Sequence, residues 1–416
     1  MKRRHLTPRL LAALADTPVV FLQGPRQAGK STLVQSLQSH GHAASYLTLD
    51  DAATLAAASA DPDGFVAGLP ERVILDEVQR VPELFRAIKR SVDTNRKPGR
   101  FLLTGSAQVL LLPKVSESLA GRMEVLTLWP FSQGEIAGQR EGFVDACFAP
   151  ELTLRALDAP RWAGLAARIS TGGFPEAVAR SEESRRHAWF DAYLTTLLER
   201  DIRDLANISG LRDLPRLLRL LATRVMGLLN LAELSREAAM PQTTLHRYFT
   251  LFEATFLART LPPWHANLGL RLVKTPKLWL VDTGLLCHLL GIEAARLATD
   301  DLMSGPALEC FVASELTKQL SWSRTRASLF HYRTHSQQEV DFVLESAAGK
   351  LVGIEVKKTA SPSEADFKGL RHLAEQTGKR FLRGVLLHTG PSSAAFGKNL
   401  YALPVSALWQ YASASG

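Results

Sequence analysis

The sequence predicts an α/β protein with an N-terminal parallel sheet, a helical middle, a short helix-turn-helix and a second α/β region towards the C-terminus. Three observations predict it. Between residues 18 and 128, short apolar runs recur with helical or loop segments between them: VVFLQ, YLTLD, RVILD, RFLLTG and EVLTLW. Val/Leu-rich runs joined by crossovers are the pattern of a sheet covered on both faces. From about 150 to 225, apolar residues recur at three- and four-residue steps in RWAGLAARI, HAWFDAYLTTLLERDIRDL and LPRLLRLLATRVMGLL, the period of amphipathic helices. After Pro262-Pro263-Trp264, strand-like runs return as KLWLVD, LFHYRT, VDFVLE, LVGIEVK and RGVLLH. Four segments follow: 1–149, 150–225 as a helical lid or linker, 226–265, and 266–416.

The chain has 416 residues, 46% hydrophobic and 22% charged, which supplies apolar material for more than one core and excludes disordered and collagen-like classes. Lysine plus arginine (49) outnumber aspartate plus glutamate (41), a net charge of +8 that favours a nucleic-acid partner without requiring one. Cys147, Cys287 and Cys310 lie far apart, in no zinc-like or disulfide-like spacing, and a reducing cytosol suits them. Pro8 and Arg9 interrupt the apolar start, which argues against a signal peptide. No run approaches the roughly 18 apolar residues of a membrane helix. The expected location is therefore cytoplasmic, with no membrane partner.

Gly24-Pro25-Arg26-Gln27-Ala28-Gly29-Lys30-Ser31, followed by Thr32, fits G-x-x-x-x-G-K-[ST] directly after the strand VVFLQ and directly before a helix. Two glycines let such a loop curl its N–H groups around one anion, Lys30 reaches the outer phosphates of a nucleotide, and Ser31 can ligate Mg²⁺. ATP with Mg²⁺ is the expected cofactor. Arg26, inside the loop, can sense nucleotide or pair with an acid. Val73-Ile74-Leu75-Asp76-Glu77 is a second apolar strand, ending in two acids. Asp76 can hold the magnesium through water while Glu77 orients or deprotonates the attacking water. A third strand, Phe101-Leu102-Leu103-Thr104-Gly105-Ser106, puts Ser106 where a side chain can touch the γ-phosphate or that water.

Together these elements resemble the AAA-type branch of P-loop ATPases, which implies a sensor strand between the P-loop and Walker B strands. No Asn-Lys-x-Asp run reads guanine, against a GTPase. Arg122, in SLAGRM, can stabilise the γ-phosphate in cis, or in trans within a homo-oligomer, or can be a plain surface arginine.

Residues 231–261 read as two amphipathic segments hinged at Met240-Pro241, with Gln242, Thr243 and Thr244 opening the second. This is the layout of a helix-turn-helix, here winged-helix-like, and Arg236, His246 and Arg247 are its candidate DNA contacts. The alternative is a hairpin that only packs. Farther on, a helix GPALECFVASELTKQL precedes Asp341 in QEVDFVLE and Glu355 with Lys357 in GIEVKKT. Side chains alternate along a strand, so Glu355 and Lys357 share a face. Asp341 and Glu355 on adjacent strands could share a divalent metal while Lys357 steadies a hydroxide or the scissile phosphate.

That order resembles the PD-(D/E)xK nuclease fold of restriction endonucleases, with Glu309, or else Glu315, as the helix acid and Val340 in place of the usual proline. Taken whole, the chain resembles bacterial and archaeal AAA-family ATPases that carry a C-terminal domain of unknown function. DEVQRVPELF, LTGSAQ, LAGR, GGFPEA, LVDTGL and EVDFV with IEVK carry that resemblance. It implies ATP binding and hydrolysis coupled to nucleic-acid binding or processing. A regulatory ATPase whose nuclease-like domain is an inactive protein-binding platform is the alternative, and a small-molecule kinase suits the Asp-Glu pair less well.

Overall fold

The computed structural model describes residues 2–106, 119–202, 213–334 and 336–412. Ala107 and Gln108 of LTGSAQ, and 203–205 of the second helical run, lie outside the described residues. The chain forms two compact units: residues 4–130 with 251–257, and the remainder.

The first unit is built on five parallel strands, β1 (Val19–Gln23), β2 (Ser45–Thr48), β3 (Val73–Asp76), β4 (Phe101–Gly105) and β5 (Met123–Thr127), in the order β2-β3-β4-β1-β5. The P-loop strand β1 and the acid-ending strand β3 both pair with β4, the sensor strand, as the AAA resemblance implies. Alternation decides which residue goes where. Val19, Phe21, Val73, Leu75, Phe101 and Leu103 face one core with Leu84, Phe85, Ile88 and Val92 of helix α3 (Leu84–Thr94). Val20, Leu22, Ile74, Leu102 and Leu126 face the other, with Leu10 and Leu14 of α1 (Thr7–Asp16) and Leu33 and Val34 of α2 (Lys30–Ser36). A strand buried on both sides needs an apolar residue at every position, so these runs are continuous rather than alternating.

In the second unit the helical middle includes Trp162–Thr171, Glu183–Thr196, which runs into a π-helical turn at Leu197–Asp201, and Leu214–Ala222 with Leu214, Leu217, Leu218 and Leu221 buried. Two helices then meet at a short turn, α4 (Leu231–Ala238) and α5 (Gln242–Ala254). Asn230 caps the first through Glu233 N–H, and Ala239 ends it with φ +51°, a left-handed residue that reverses the chain before Pro241.

KLWLVD was expected among the strands of the C-terminal sheet. Instead β7 (Lys277–Leu280) pairs antiparallel with β6 (Ala258–Leu261), and Lys277 also bridges Leu228, so both edges of the strand are committed near the helix pair. The C-terminal sheet has six strands in the order β12-β13-β11-β10-β9-β8: β8 (Ala327–Arg333), β9 (Glu339–Ser346), β10 (Leu351–Lys357), β11 (Phe381–His388), β12 (Ala394–Ala395) and β13 (Leu400–Pro404). The last two escape sequence reading, one being two residues long and the other ending in proline. Helix α6 (Asp301–Leu320) precedes the sheet, and α7 (Lys368–Thr377) lays Leu370 and Leu373 on its core. A Cβ on Gly369 would lie 2.0 Å from the Glu339 carbonyl oxygen, so only glycine lets this helix come so close to β9. No described helix is long and apolar enough to cross a membrane.

Candidate functional site

The P-loop leaves β1 at Gly24, whose φ is +154° and whose Cβ, were it present, would sit 2.1 Å from the Leu128 carbonyl oxygen. Gly29, at φ +93°, turns the chain into α2. Between them the loop closes on the Lys30 side chain, 4% exposed, whose Nζ donates to the carbonyls of Gly24 and Pro25 at 3.0 Å each. Arg4 braces the loop from outside by donating to the Ala28 carbonyl at 2.8 Å. The first amides of a helix have no acceptor within it, so Lys30, Ser31 and Thr32 open α2 with N–H groups suited to an anion. Pro25 and Ala28 are buried, Arg26 is half-buried and Gln27 is exposed at φ +59°. This cradle fits a nucleotide's phosphates.

Asp76 ends β3 at 3% exposure and accepts from the Tyr46 hydroxyl at 2.5 Å and from Thr104. Burial and the Asp76 carboxylate push Tyr46 up to about 12, while the neighbouring Gln35 and Ser31 act the other way. Tyr46 thus holds by hydrogen bond the carboxylate of Asp76, which with Ser31 would hold magnesium. Glu77 stands at φ +59°, ψ +42°, a left-handed conformation costing a non-glycine residue about 1–2 kcal/mol. Its N–H donates to Thr104 at 3.2 Å. The Gln79 amide donates both to the Glu77 carboxylate and to the Ser106 hydroxyl, the latter at 3.0 Å. Gln79 Oε1 is buried with no hydrogen-bond partner among the described residues. Arg122 pairs with Asp93, both partly exposed, and donates to the Ala120 carbonyl at 3.1 Å.

In the second unit, Arg236 on α4 and His246 and Arg247 on α5 are exposed, whereas Leu245, Tyr248 and Phe249 are buried. The C-terminal acids gather where β9, β10 and α6 meet. Asp341 Oδ2 accepts the Val356 N–H at 2.9 Å, and Glu355 Oε1 lies 2.8 Å from Lys357 Nζ. Lys277 also enters the group, its Nζ 2.6 Å from Glu339, 3.7 Å from Asp341 and 3.9 Å from Glu309. Burial, then repulsion from Asp341, pushes Glu309 and Glu355 up to about 8. Burial also raises Asp341 and opposes ionisation of Glu339, but Lys277 prevails there and holds Glu339 low. Glu315 is elsewhere, accepting from the Gln133 N–H at 2.9 Å and from Lys318 at 2.8 Å. No group of three or more His, Cys, Asp or Glu side chains among the described residues is arranged to hold a metal ion. The Lys277 ammonium stands among Glu309, Glu339 and Asp341, and Glu355 Oε2 is buried with no hydrogen-bond partner among the described residues.

Sequence reading missed Arg4, Tyr46, Gln79, Lys277 and Glu339. Glu339 was within reach, standing two before Asp341 on one strand and so on the same face. Tyr46 and Lys277 come from other strands and carry no local signal.

The fold and the loop define the class of the first unit, an AAA-type P-loop ATPase domain: residues 16–137 match the family model of an AAA domain. Residues 163–296 and 304–408 match two domains of unknown function, DUF8612 and DUF4143. The chain is 36% identical over 369 residues to the uncharacterized proteins Rv2008c of Mycobacterium tuberculosis and Mb2031c of Mycobacterium bovis, an alignment spanning 87% of this chain and 75% of each relative. It belongs to their family. Among solved structures, a Walker-type ATPase of Pyrococcus abyssi is similar at 14% identity and TM-score 0.42, over 70% of this chain and 96% of that one. A RuvB variant of Thermotoga maritima is similar at 17% identity and TM-score 0.26, over 62% and 89%.

Proposed function

We propose that the chain binds and hydrolyses Mg-ATP in its first unit and uses the nucleotide state to control a nucleic-acid contact made by the segments beyond residue 225. The convergence of Lys30, Ser31, Asp76 and Glu77 at the ends of β1 and β3 carries this reading. In it, Gly24 to Thr32 wrap the phosphates and Lys30 leaves its two carbonyls for the outer ones. Ser31 and Asp76 hold the magnesium, which would neutralise phosphate charge. Glu77 orients or deprotonates the attacking water, and a strained backbone is the kind of outlier that marks such a residue. Ser106, tied to Glu77 through Gln79, reports on the γ-phosphate, and Arg122 can leave Asp93 to neutralise transition-state charge, in cis or in trans.

The nucleic-acid part rests on order and exposure. Leu214–Ala222, the bridge at Leu228, α4, α5, β6 and β7 follow one another as the elements of a winged helix do, and Arg236, His246 and Arg247 are exposed. The four-segment division at 149, 225 and 265 is part of this reading. ATP turnover measured with and without duplex and branched DNA tests it. Stimulation by DNA is expected. Turnover indifferent to DNA, with no DNA bound at low salt, would favour the regulatory ATPase with a protein-binding C-terminal domain.

A further inference from the structure

Lys277 opens β7, its backbone paired with Leu261 on one side and bridged to Leu228 on the other, so its Cα has little freedom. From there the side chain runs inward, 4% exposed, and its ammonium meets three carboxylates supplied by two other elements: Glu309 from α6, and Glu339 and Asp341 from β9. Two of the neighbouring oxygens are committed as well, while Glu355 Oε2 is buried with no hydrogen-bond partner among the described residues. Asp341 Oδ2 takes a backbone N–H from Val356, and Glu355 Oε1 takes the Lys357 ammonium.

We infer that Lys277 is the resident cation of this cluster, that its ammonium holds the ground a divalent metal would need, and that the C-terminal domain therefore does not cut phosphodiesters by metal-assisted hydrolysis. The assignment of the ion rests on geometry alone; its consequence for cleavage rests on the nuclease-like reading of the fold. A divalent ion requires several carboxylate oxygens to converge at 2.0–2.6 Å. Here Glu339 meets an ammonium at 2.6 Å, with Asp341 and Glu309 at 3.7 and 3.9 Å from it, and a second cation among these acids would meet its repulsion at close range in a buried site. Lys277 also has a positive task. It ties the two-stranded sheet beside the helix pair to the six-stranded sheet, linking the segment proposed to touch nucleic acid to the one that resembles a nuclease.

The test uses the full-length, nucleotide-free chain and Mn²⁺ alone. Wild type and Asp341→Asn should take up the same amount of Mn²⁺ by paramagnetic resonance, which subtracts any ion at the P-loop. Lys277→Met should melt several degrees lower than wild type, and Mn²⁺ should raise the melting point of Lys277→Met but not of Lys277→Met/Asp341→Asn. The inference is overturned by Mn²⁺ uptake in wild type that Asp341→Asn removes, by a Lys277→Met melting point equal to wild type, or by failure of Mn²⁺ to stabilise that variant. If Lys277→Met does not fold, the wild-type against Asp341→Asn comparison still decides. Incubation of wild type with duplex DNA and Mn²⁺ separates the two readings. Bound, uncut DNA supports both, absence of DNA binding removes the nucleic-acid role and leaves Lys277 standing, and cutting that Asp341→Asn abolishes overturns the inference.

Discussion

Replacing Glu77 by glycine should move stability and activity in opposite directions. Glu77 pays about 1–2 kcal/mol for its left-handed backbone, and glycine, which adopts that conformation freely, returns roughly 0.5–1 kcal/mol less than this through its greater freedom when unfolded. The carboxylate's contact with the Gln79 amide is lost, but that amide keeps the Ser106 hydroxyl. The net gain should be about 0.5 kcal/mol, a melting point about one or two degrees higher for a chain of this size. Hydrolysis should collapse, since removing a general base costs roughly 10²–10⁴ in rate, or about 2.7–5.4 kcal/mol of barrier. Glu77→Gln is the control: it keeps the left-handed backbone and the side-chain shape, so its melting point should stay near wild type while turnover falls about 100-fold or more and ATP remains bound. Calorimetric melting and a coupled phosphate-release assay read both quantities. If Glu77→Gly melts well below wild type, the left-handed backbone stores no strain; if either variant turns over ATP at the parent rate, Glu77 is a structural acid.

Lys30→Ala should abolish tight Mg-ATP binding, read by displacement of a fluorescent nucleotide; unchanged affinity would sink the P-loop assignment. Tyr46→Phe removes a hydroxyl bonded to a buried carboxylate and should cost the nucleotide-free chain about 1–2 kcal/mol and shift the Mg²⁺ dependence of turnover, whereas a merely structural tyrosine would change the first and not the second. Arg247→Glu should weaken DNA binding and flatten its salt dependence while DNA-free ATP turnover is unchanged; equal affinity would return α5 to packing. Glu309 and Glu355, raised from 4.5 to about 8, bind more protons folded than unfolded, so the stability they confer is full below about pH 4.5 and is lost as pH climbs towards 8. Melting followed from pH 5 to 8 should therefore fall more steeply in wild type than in Glu355→Gln, and parallel slopes would contradict the raised values.

What the sequence could disclose depended on how far apart the cooperating residues stand. The three central strands of the first sheet were legible because each is buried on both faces, so VVFLQ, RVILD and RFLLTG advertise themselves without reference to any partner. The P-loop was legible for the same reason, since the turn, the lysine and the start of the helix are consecutive. KLWLVD looked like one more strand of the last sheet because an apolar run states that it is a strand and not what it pairs with. Its partner, Ala258–Leu261, precedes it by a loop carrying Pro262 and Pro263, and no periodicity connects the two.

The same limit governs the two sites, with opposite effects on how each is understood. Around the P-loop, the residues that escaped notice, Arg4, Tyr46 and Gln79, add to the arrangement proposed for Lys30, Ser31, Asp76 and Glu77 without changing any of their proposed roles. In the C-terminal cluster one of the two residues that escaped notice, Lys277, reverses the proposed role. Asp341, Glu355 and Lys357, read along two neighbouring strands, form an acid pair with a lysine beside it, which is a metal site by composition. Adding Lys277 from a separate sheet supplies the positive charge that composition says is missing. A carboxylate cluster is a demand for a cation, and a linear sequence shows the demand far more readily than it shows which cation meets it. Here the supplier lies 32 residues before Glu309 and more than 60 before Asp341, so the three-dimensional arrangement, and not the Asp-Glu-x-Lys order, decides whether this domain can do chemistry on DNA.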